Sequence, residues 1–158
     1  MCAMKSLYFY ETVIGKICIV DDDGFITNLY LDSDKIPEDI EIRETVLLEY
    51  AGRQLLEYFF GERKAFDLEL APVGTEFQRG VWRALCCIPY GKTASYKDIA
   101  KDISNEKACR AVGMANNKNP IPIFIPCHRV IGSSGKLVGF RGGLGVKKIL
   151  LELECGNI

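Results

Sequence analysis

The chain reads as an α/β protein of the α+β kind. A small sheet-plus-helix domain is expected over residues 1–71, and a mostly helical domain with a helix-turn-helix over residues 72–158. Three observations predict this. Strand-like runs crowd the first third of the chain and a single helical run follows them. After residue 75, capping signals and apolar spacing are those of helices. The charge changes sign at the same place: residues 1–71 carry 7 Lys or Arg against 15 Asp or Glu, and residues 72–158 carry 13 against 6. An apolar fraction of 48% and a charged fraction of 26% are ordinary for a soluble globular protein, and 158 residues suffice to bury a core.

In the first half, LYFYET (7–12), KICIVD (16–21) and FITNLYL (25–31) are rich in β-branched and aromatic residues. Asp23-Gly24 predicts a tight hairpin turn between the second and third. The aspartates 21–23 read as loop rather than as a metal site. After the acidic loop DSDKIPEDIE, the spacing of Val46, Leu47, Tyr50, Leu55, Tyr58 and Phe59 predicts a helix that Gly61 stops. FDLEL (66–70) alternates as one more strand, and residues 71–74 read as a linker.

In the second half, Thr75 and Gln78 form a capping box for a helix running to about Ile88, ended by Pro89-Tyr90-Gly91. Ser95 caps a helix whose apolar face is Tyr96, Ile99, Ala100 and Ile103. Ser104-Asn105 is a turn. A second helix from about Glu106 places Ala108, Ala111, Val112 and Ala115 inward and Arg110 outward. Two short helices about a tight turn form a helix-turn-helix pattern. The basic half that carries it suits an anionic partner, with nucleic acid the first candidate. Leu144, Ile149, Leu150 and Leu153 predict a last amphipathic helix, with Glu154 near its end.

The seven cysteines are odd in number, show no C-x-x-C and form no disulfide framework. Cys18, Cys86, Cys87 and Cys109 read as small buried apolar residues. The N-terminal run lacks the apolar stretch of a secretory signal, and no apolar run reaches the ~20 residues of a membrane helix. A cytoplasmic protein without a membrane partner is expected.

The chemistry concentrates in NPIPIFIPCHRVIGSSGKLVGFRGGL (119–144). It sets Cys127 beside His128, the only histidine of the chain, after a strand-like run from Ile121 to Ile125. A thiol with a pKa near ~8.5 needs a base or a positive neighbour to attack carbon. Histidine is the usual base and a carboxylate usually orients it. A turn at Pro-Cys-His brings thiol and imidazole within reach, directly or through one water, and Glu154 is the candidate carboxylate. Prolines 120, 122 and 126 stiffen the approach, and the glycines that follow let a backbone come close to a flat ligand.

This stretch resembles the active-site signature of the O6-alkylguanine-DNA alkyltransferase family, the methylated-DNA–protein-cysteine methyltransferases. The likeness extends over about residues 75–156 and includes FQRGVW, PYGKTASY, ACRAVG and LLELE. It implies a ribonuclease-H-like supporting domain over residues 1–71 and a winged-helix-like, DNA-binding and alkyl-acceptor domain over 72–158. It implies that Cys127 takes the alkyl group irreversibly, once, from O6 of guanine, with O4 of thymine a second candidate donor. His128 would act as base, Glu154 would hold His128, Asn119 would brace the site and Tyr96 would donate to the departing guanine. Pro122, Ile125, Val130, Phe140 and Arg141 would line the pocket. A base inside a duplex must be swung out. Arg110 matches the family's arginine finger, and Ala108, Ala111 and Gly113 allow close approach in the minor groove. Gln78, Tyr96, Lys97, Asn105 and Ser133 are the expected phosphate contacts. The expected partner is double-stranded DNA containing O6-alkylguanine, with a monomer acting alone and with neither cofactor nor metal.

The chain departs from the family's usual pattern at Phe140 and Arg141, where a tyrosine and a small residue are customary. Arg141 is expected either to crowd the pocket or to contact a phosphate. Two other readings remain. A non-catalytic binder of alkylated DNA would keep Tyr96 and Arg110 without transfer. A cysteine hydrolase would use Cys127, His128 and Glu154 with turnover, and would leave the helix pair without a role.

Overall fold

The structure is a computed structural model that describes residues 4–156. The chain divides into two compact units, Met1–Pro72 and Val73–Ile158. No helix among the described residues is long and apolar enough to cross a membrane.

The first unit is built on a four-stranded sheet of order β3-β2-β1-β4. Strands β1 (Lys5–Thr12), β2 (Gly15–Asp22) and β3 (Phe25–Tyr30) form an antiparallel meander. Its second turn is Asp23-Gly24, both at positive φ, as a tight hairpin with right-handed strand twist requires. Side chains alternate across the sheet. Leu7, Cys18 and Val20 pack on one face against Phe9, Tyr30, Ile36 and Ile40, so the acidic loop covers that face. Asp21 is more than loop. Its carboxylate accepts from Gly24 N at 2.9 Å and from the Thr45 hydroxyl at 2.7 Å, which ties the hairpin to the first helix.

That helix, α1 (Val46–Phe59), is capped by Thr45, whose hydroxyl accepts from Leu48 N. Its buried face is Leu48, Ala51, Gly52, Gln54, Leu55 and Tyr58. The expected face was rotated toward the bulkier residues: Val46 is 86% exposed and Tyr50 is exposed too. The small pair Ala51-Gly52 sets the contact instead, because the Tyr10 ring occupies the space a Gly52 side chain would need.

Two further differences concern strands. A short β4 (Glu41–Ile42) pairs parallel with β1 at the end of the acidic loop, where no periodicity announced it. FDLEL is not a strand; only Leu70 forms a bridge, to Ile26. Buried Gln54 accounts for the rest, since its side-chain amide donates to Asp67 O and accepts from Asp67 N. A side chain takes the place of a neighbouring strand.

The second unit contains α2 (Glu76–Leu85), β5 (Ala94–Ser95), α3 (Tyr96–Asp102), α4 (Cys109–Asn117), β6 (Val130–Ile131) and α5 (Leu144–Glu154). Capping boxes Thr75/Gln78 and Ser95/Asp98 start α2 and α3. The first helix is shorter than expected and ends three residues before Ile88. The second helix of the pair begins at Cys109 rather than Glu106, after a turn in which Ser104 has φ 58°. Val112, Ala115 and Asn116 form the buried face of α4, and Ala111 is exposed, contrary to expectation. The Trp82 indole N–H donates to Ala115 O at 2.9 Å and fastens α2 to α4. Cys18 is buried as expected and Cys109 is half-buried, but Cys86 and Cys87 are exposed because the helix has already ended there.

A methyl group at position 52 would sit 2.3 Å from the Tyr10 ring, so Gly52→Ala must displace β1 or the ring. The expected loss is about 1–3 kcal/mol despite the better helix propensity of alanine. Urea unfolding of the two proteins measures it, and an unchanged or higher midpoint would refute the packing account.

Candidate active site

The site begins with the run before Cys127, and it is not a strand. Residues 121–125 turn back on themselves, with Ile125 N donating to Ile121 O at 2.9 Å. Ile123 has φ 74°, a left-handed conformation that a β-branched residue rarely adopts and that costs on the order of 1–3 kcal/mol. Asn119 holds the turn at both ends. Its Nδ2 donates to Ile125 O at 2.8 Å and its Oδ1 accepts from Ile121 N at 3.0 Å. Asn119, Pro122, Ile125 and Val130 are all buried.

Cys127, His128 and Arg129 then form one turn of 3-10 helix. All three residues of this turn are buried, where an extended strand would have sent neighbours to opposite faces. Asn116 Nδ2 donates to Cys127 O at 3.4 Å. His128 Nε2 lies 2.6 Å from Glu154 Oε2. The same carboxylate accepts from Arg129 Nε at 2.8 Å, Arg129 Nη2 at 3.0 Å and Gly91 N at 3.1 Å. Arg129 Nη1 donates to Ile88 O at 2.7 Å. The Pro-Tyr-Gly turn after α2 is thereby tied to the last residue of α5 and to the Cys-His-Arg turn.

A two-residue parallel ladder places Ala94 beside Val130 and Ser95 beside Ile131. It carries Tyr96, the first residue of α3, to the same place. The Tyr96 hydroxyl donates to Val138 O at 3.0 Å. That carbonyl also accepts from Lys147 Nζ at 2.9 Å, and Lys147 donates to Val130 O and Gly139 O as well. Lys147 is fully buried. Arg141 Nη1 donates to Asn119 O at 2.7 Å.

These contacts set the charges. Burial pushes the Cys127 thiol up, while the Asn119 hydrogen bond and the charges of Arg141 and Lys147 pull the other way. Burial pulls His128 below the usual histidine value, opposed by Glu154. Burial lowers the Lys147 ammonium, opposed by Cys127. Burial, then the charge at Cys127, raises the Tyr96 phenol. At neutral pH the resting site therefore holds a thiol, a neutral imidazole and a protonated phenol. The imidazole can accept a proton and the phenol can give one.

The structure brings together Cys127, His128, Glu154, Asn119 and Tyr96. Phe140 is half-buried, and Arg141 is exposed apart from its bond to Asn119. Arg110, Lys97, Asn105, Ala111 and Ser133 are solvent-exposed, whereas Ala108 and Gly113 are half-buried. Gln78 turns its side-chain oxygen to Thr75 N in its own cap. Sequence reasoning assigned no role to Arg129 or Lys147. Lys147 had a signal: with Leu150 and Glu154 it falls on one stripe of α5, so a lysine stood on the buried face. Leu144, the first residue of the helix, is 48% exposed, contrary to expectation.

Comparison with known proteins agrees with this geometry. Residues 7–72 match the ribonuclease-like domain, and residues 76–156 the DNA binding domain, of 6-O-methylguanine DNA methyltransferase. A methylated-DNA–protein-cysteine methyltransferase of Methanosarcina barkeri is 50% identical, covering 94% of this chain and 96% of the relative. The constitutive enzyme of that name in Bacillus subtilis is 45% identical, covering 91% and 92%. The crystal structure of Mycobacterium tuberculosis OGT in complex with DNA superposes with a TM-score of 0.91 at 43% identity, covering 96% of this chain and 94% of that one.

His128 is the only histidine, so it alone titrates near neutrality from the side chains at their ordinary values. Its folded pKa is lowered, so between that value and the unfolded ~6.5 the unfolded chain binds the extra proton. Stability is expected to fall as pH drops below about 6.5 and to be level above it. Urea unfolding between pH 5.5 and 8 checks this; a slope of opposite sign would mean a charged, not neutral, buried imidazole.

Proposed function

The chain belongs to the 6-O-methylguanine DNA methyltransferase family, and on that premise we propose how its own residues carry out direct-reversal DNA repair. It transfers a methyl or other alkyl group from O6 of guanine in double-stranded DNA to Cys127, irreversibly and once per molecule. The observation that carries this reading is the pairing of His128 Nε2 with Glu154, deep beside a buried thiol.

The carboxylate fixes the imidazole with Nε2–H toward Glu154, so Nδ1 is the nitrogen that takes the Cys127 proton, directly or through one water. Since burial keeps the thiol protonated, the proton leaves only as sulfur attacks the alkyl carbon. Sulfur to carbon forms as carbon to O6 breaks. The electron pair moves into the guanine ring, and Tyr96, placed by α3, donates to the departing base. The product is a thioether with no good leaving group, and nothing in the site regenerates the thiol. Lys147 supports the step by holding the Val138 and Gly139 carbonyls and by placing a positive charge near the developing thiolate.

DNA engagement follows from the exposed face of α4. Arg110 would enter the stack in place of the extruded nucleotide, with Ala108, Ala111 and Gly113 admitting the backbone nearby. Lys97, Asn105, Ser133, Tyr96 and Gln78 would meet phosphates, and the basic excess of residues 72–158 suits that surface. The first unit, over about residues 1–71, would act as a support. A single chain in the cytoplasm suffices for this work.

Intact mass after incubation with a duplex carrying one O6-methylguanine is the direct test. The expected gain is one methyl in place of one hydrogen, absent in Cys127→Ala. Tight binding without mass change would leave a damage sensor, and repeated turnover a hydrolase. Tyr96→Phe is expected to slow transfer on the order of 10²-fold while still binding the duplex. Transfer at the parent rate would remove Tyr96 from the chemistry.

A further inference from the structure

The charge around the thiol is positive on more than one side. Arg141 is bonded through Nη1 to Asn119 O, and Asn119 itself braces the turn that delivers Cys127. Lys147 approaches from α5, pinned to the Val130, Val138 and Gly139 carbonyls. Glu154 is the carboxylate of the site, and its two oxygens are engaged by His128, Arg129 and Gly91 N. Tyr96 presents a neutral phenol bonded to Val138 O. Both cations act on Cys127 itself, where each favours the thiolate. Arg141 is also solvent-accessible, so a substituent entering with the extruded base can approach it.

We propose that Arg141 is a specificity-determining residue that makes this pocket faster on anionic O6 substituents than on neutral ones of the same size. This rests on the transferase reading above. A carboxylate attached to the reacting carbon brings a negative charge next to sulfur as sulfur itself becomes negative. Like charges at that separation raise the barrier. A guanidinium at the pocket wall offsets this repulsion and orients the carboxylate through its planar donors.

The step balances like methyl transfer. With an O6-carboxymethyl group, the Cys127 S–CH2 bond forms and the CH2–O6 bond breaks. The thiol proton passes through His128 to solvent, and the guanine regains its ring proton through Tyr96. The products are S-carboxymethylcysteine and unmodified guanine, and no oxidant or reductant enters.

The test uses three duplexes, carrying O6-methyl-, O6-carboxymethyl- or O6-carbamoylmethylguanine, with the full chain and single-turnover rates read by intact mass. The amide has the size and shape of the carboxylate without its charge. The expected carboxylate-to-amide rate ratio is higher in the parent than in Arg141→Ser by about tenfold. That is the scale of one unit charge at ~6 Å in a partly solvated site. The ratio is expected to shrink with added salt and to survive in Arg141→Lys, which keeps the charge. Normal methyl transfer with the same ratio in parent and Arg141→Ser would overturn this inference alone. An equal loss on all three duplexes with weaker DNA binding would also overturn it, making Arg141 a phosphate contact. Failure of the parent on the O6-methyl duplex would sink the transferase reading and this inference with it.

Discussion

One carboxylate organises the second unit. Glu154 accepts hydrogen bonds from His128, twice from Arg129 and once from the Gly91 backbone, all inside the protein. Taking that charge from water costs several kcal/mol, and only a fully satisfied set of partners repays it. The result is a joint with one arrangement. It fixes the end of α5, the turn after α2 and the Cys-His-Arg turn in the same few ångströms. Arg129 supplies a positive charge that helps keep His128 neutral, as the proposed role of base requires. Without Arg129, the carboxylate would hold the histidine proton more tightly and raise its pKa.

The thiol depends on a second local constraint. Ile123 is held in a left-handed conformation that isoleucine disfavours, and Asn119 closes both ends of that turn. The strain is local and the compensation is local, within seven residues of sequence. Glycine at position 123 would relax the backbone but remove a buried side chain and enlarge the unfolded ensemble. The isoleucine keeps the approach to Cys127 rigid, which a one-step displacement at carbon needs more than it needs stability.

Much of this was legible in the residues, for identifiable reasons. Capping boxes at Thr75 and Ser95 are local chemistry and were read directly. So was the hairpin at Asp23-Gly24. Cys127, His128 and Glu154 carried the imprint of a base-assisted thiol, and the resemblance of the surrounding run supplied their roles. What stayed hidden depends on distant partners. FDLEL alternates like a strand, yet Gln54 on a helix satisfies its backbone. Ala51 and Gly52 form the buried face of α1 because Tyr10 lies against them, and periodicity weighted by bulk points to Val46 and Tyr50 instead. The turn at 121–125 reads as a strand because prolines and isoleucines are extended by preference, while Asn119 overrides that preference. Lys147 was visible as a charge on an apolar stripe, but its three carbonyl acceptors lie on other elements.

A protein that reacts once has no need of an open, fast-exchanging site, and this one is arranged accordingly. Cys86, Cys87 and Cys155 are exposed and lie outside the buried Cys-His-Arg turn. Cys127 is buried and kept protonated, which protects it from oxidants and small electrophiles in solution. Its activation waits on a substrate that fills the pocket, displaces water and brings the reacting carbon up to sulfur. On the proposed mechanism, the neutral imidazole and the two nearby cations then act together against desolvation. The depressed histidine and the elevated thiol are therefore one device: a resting state that is inert and a reacting state that the damaged base itself completes.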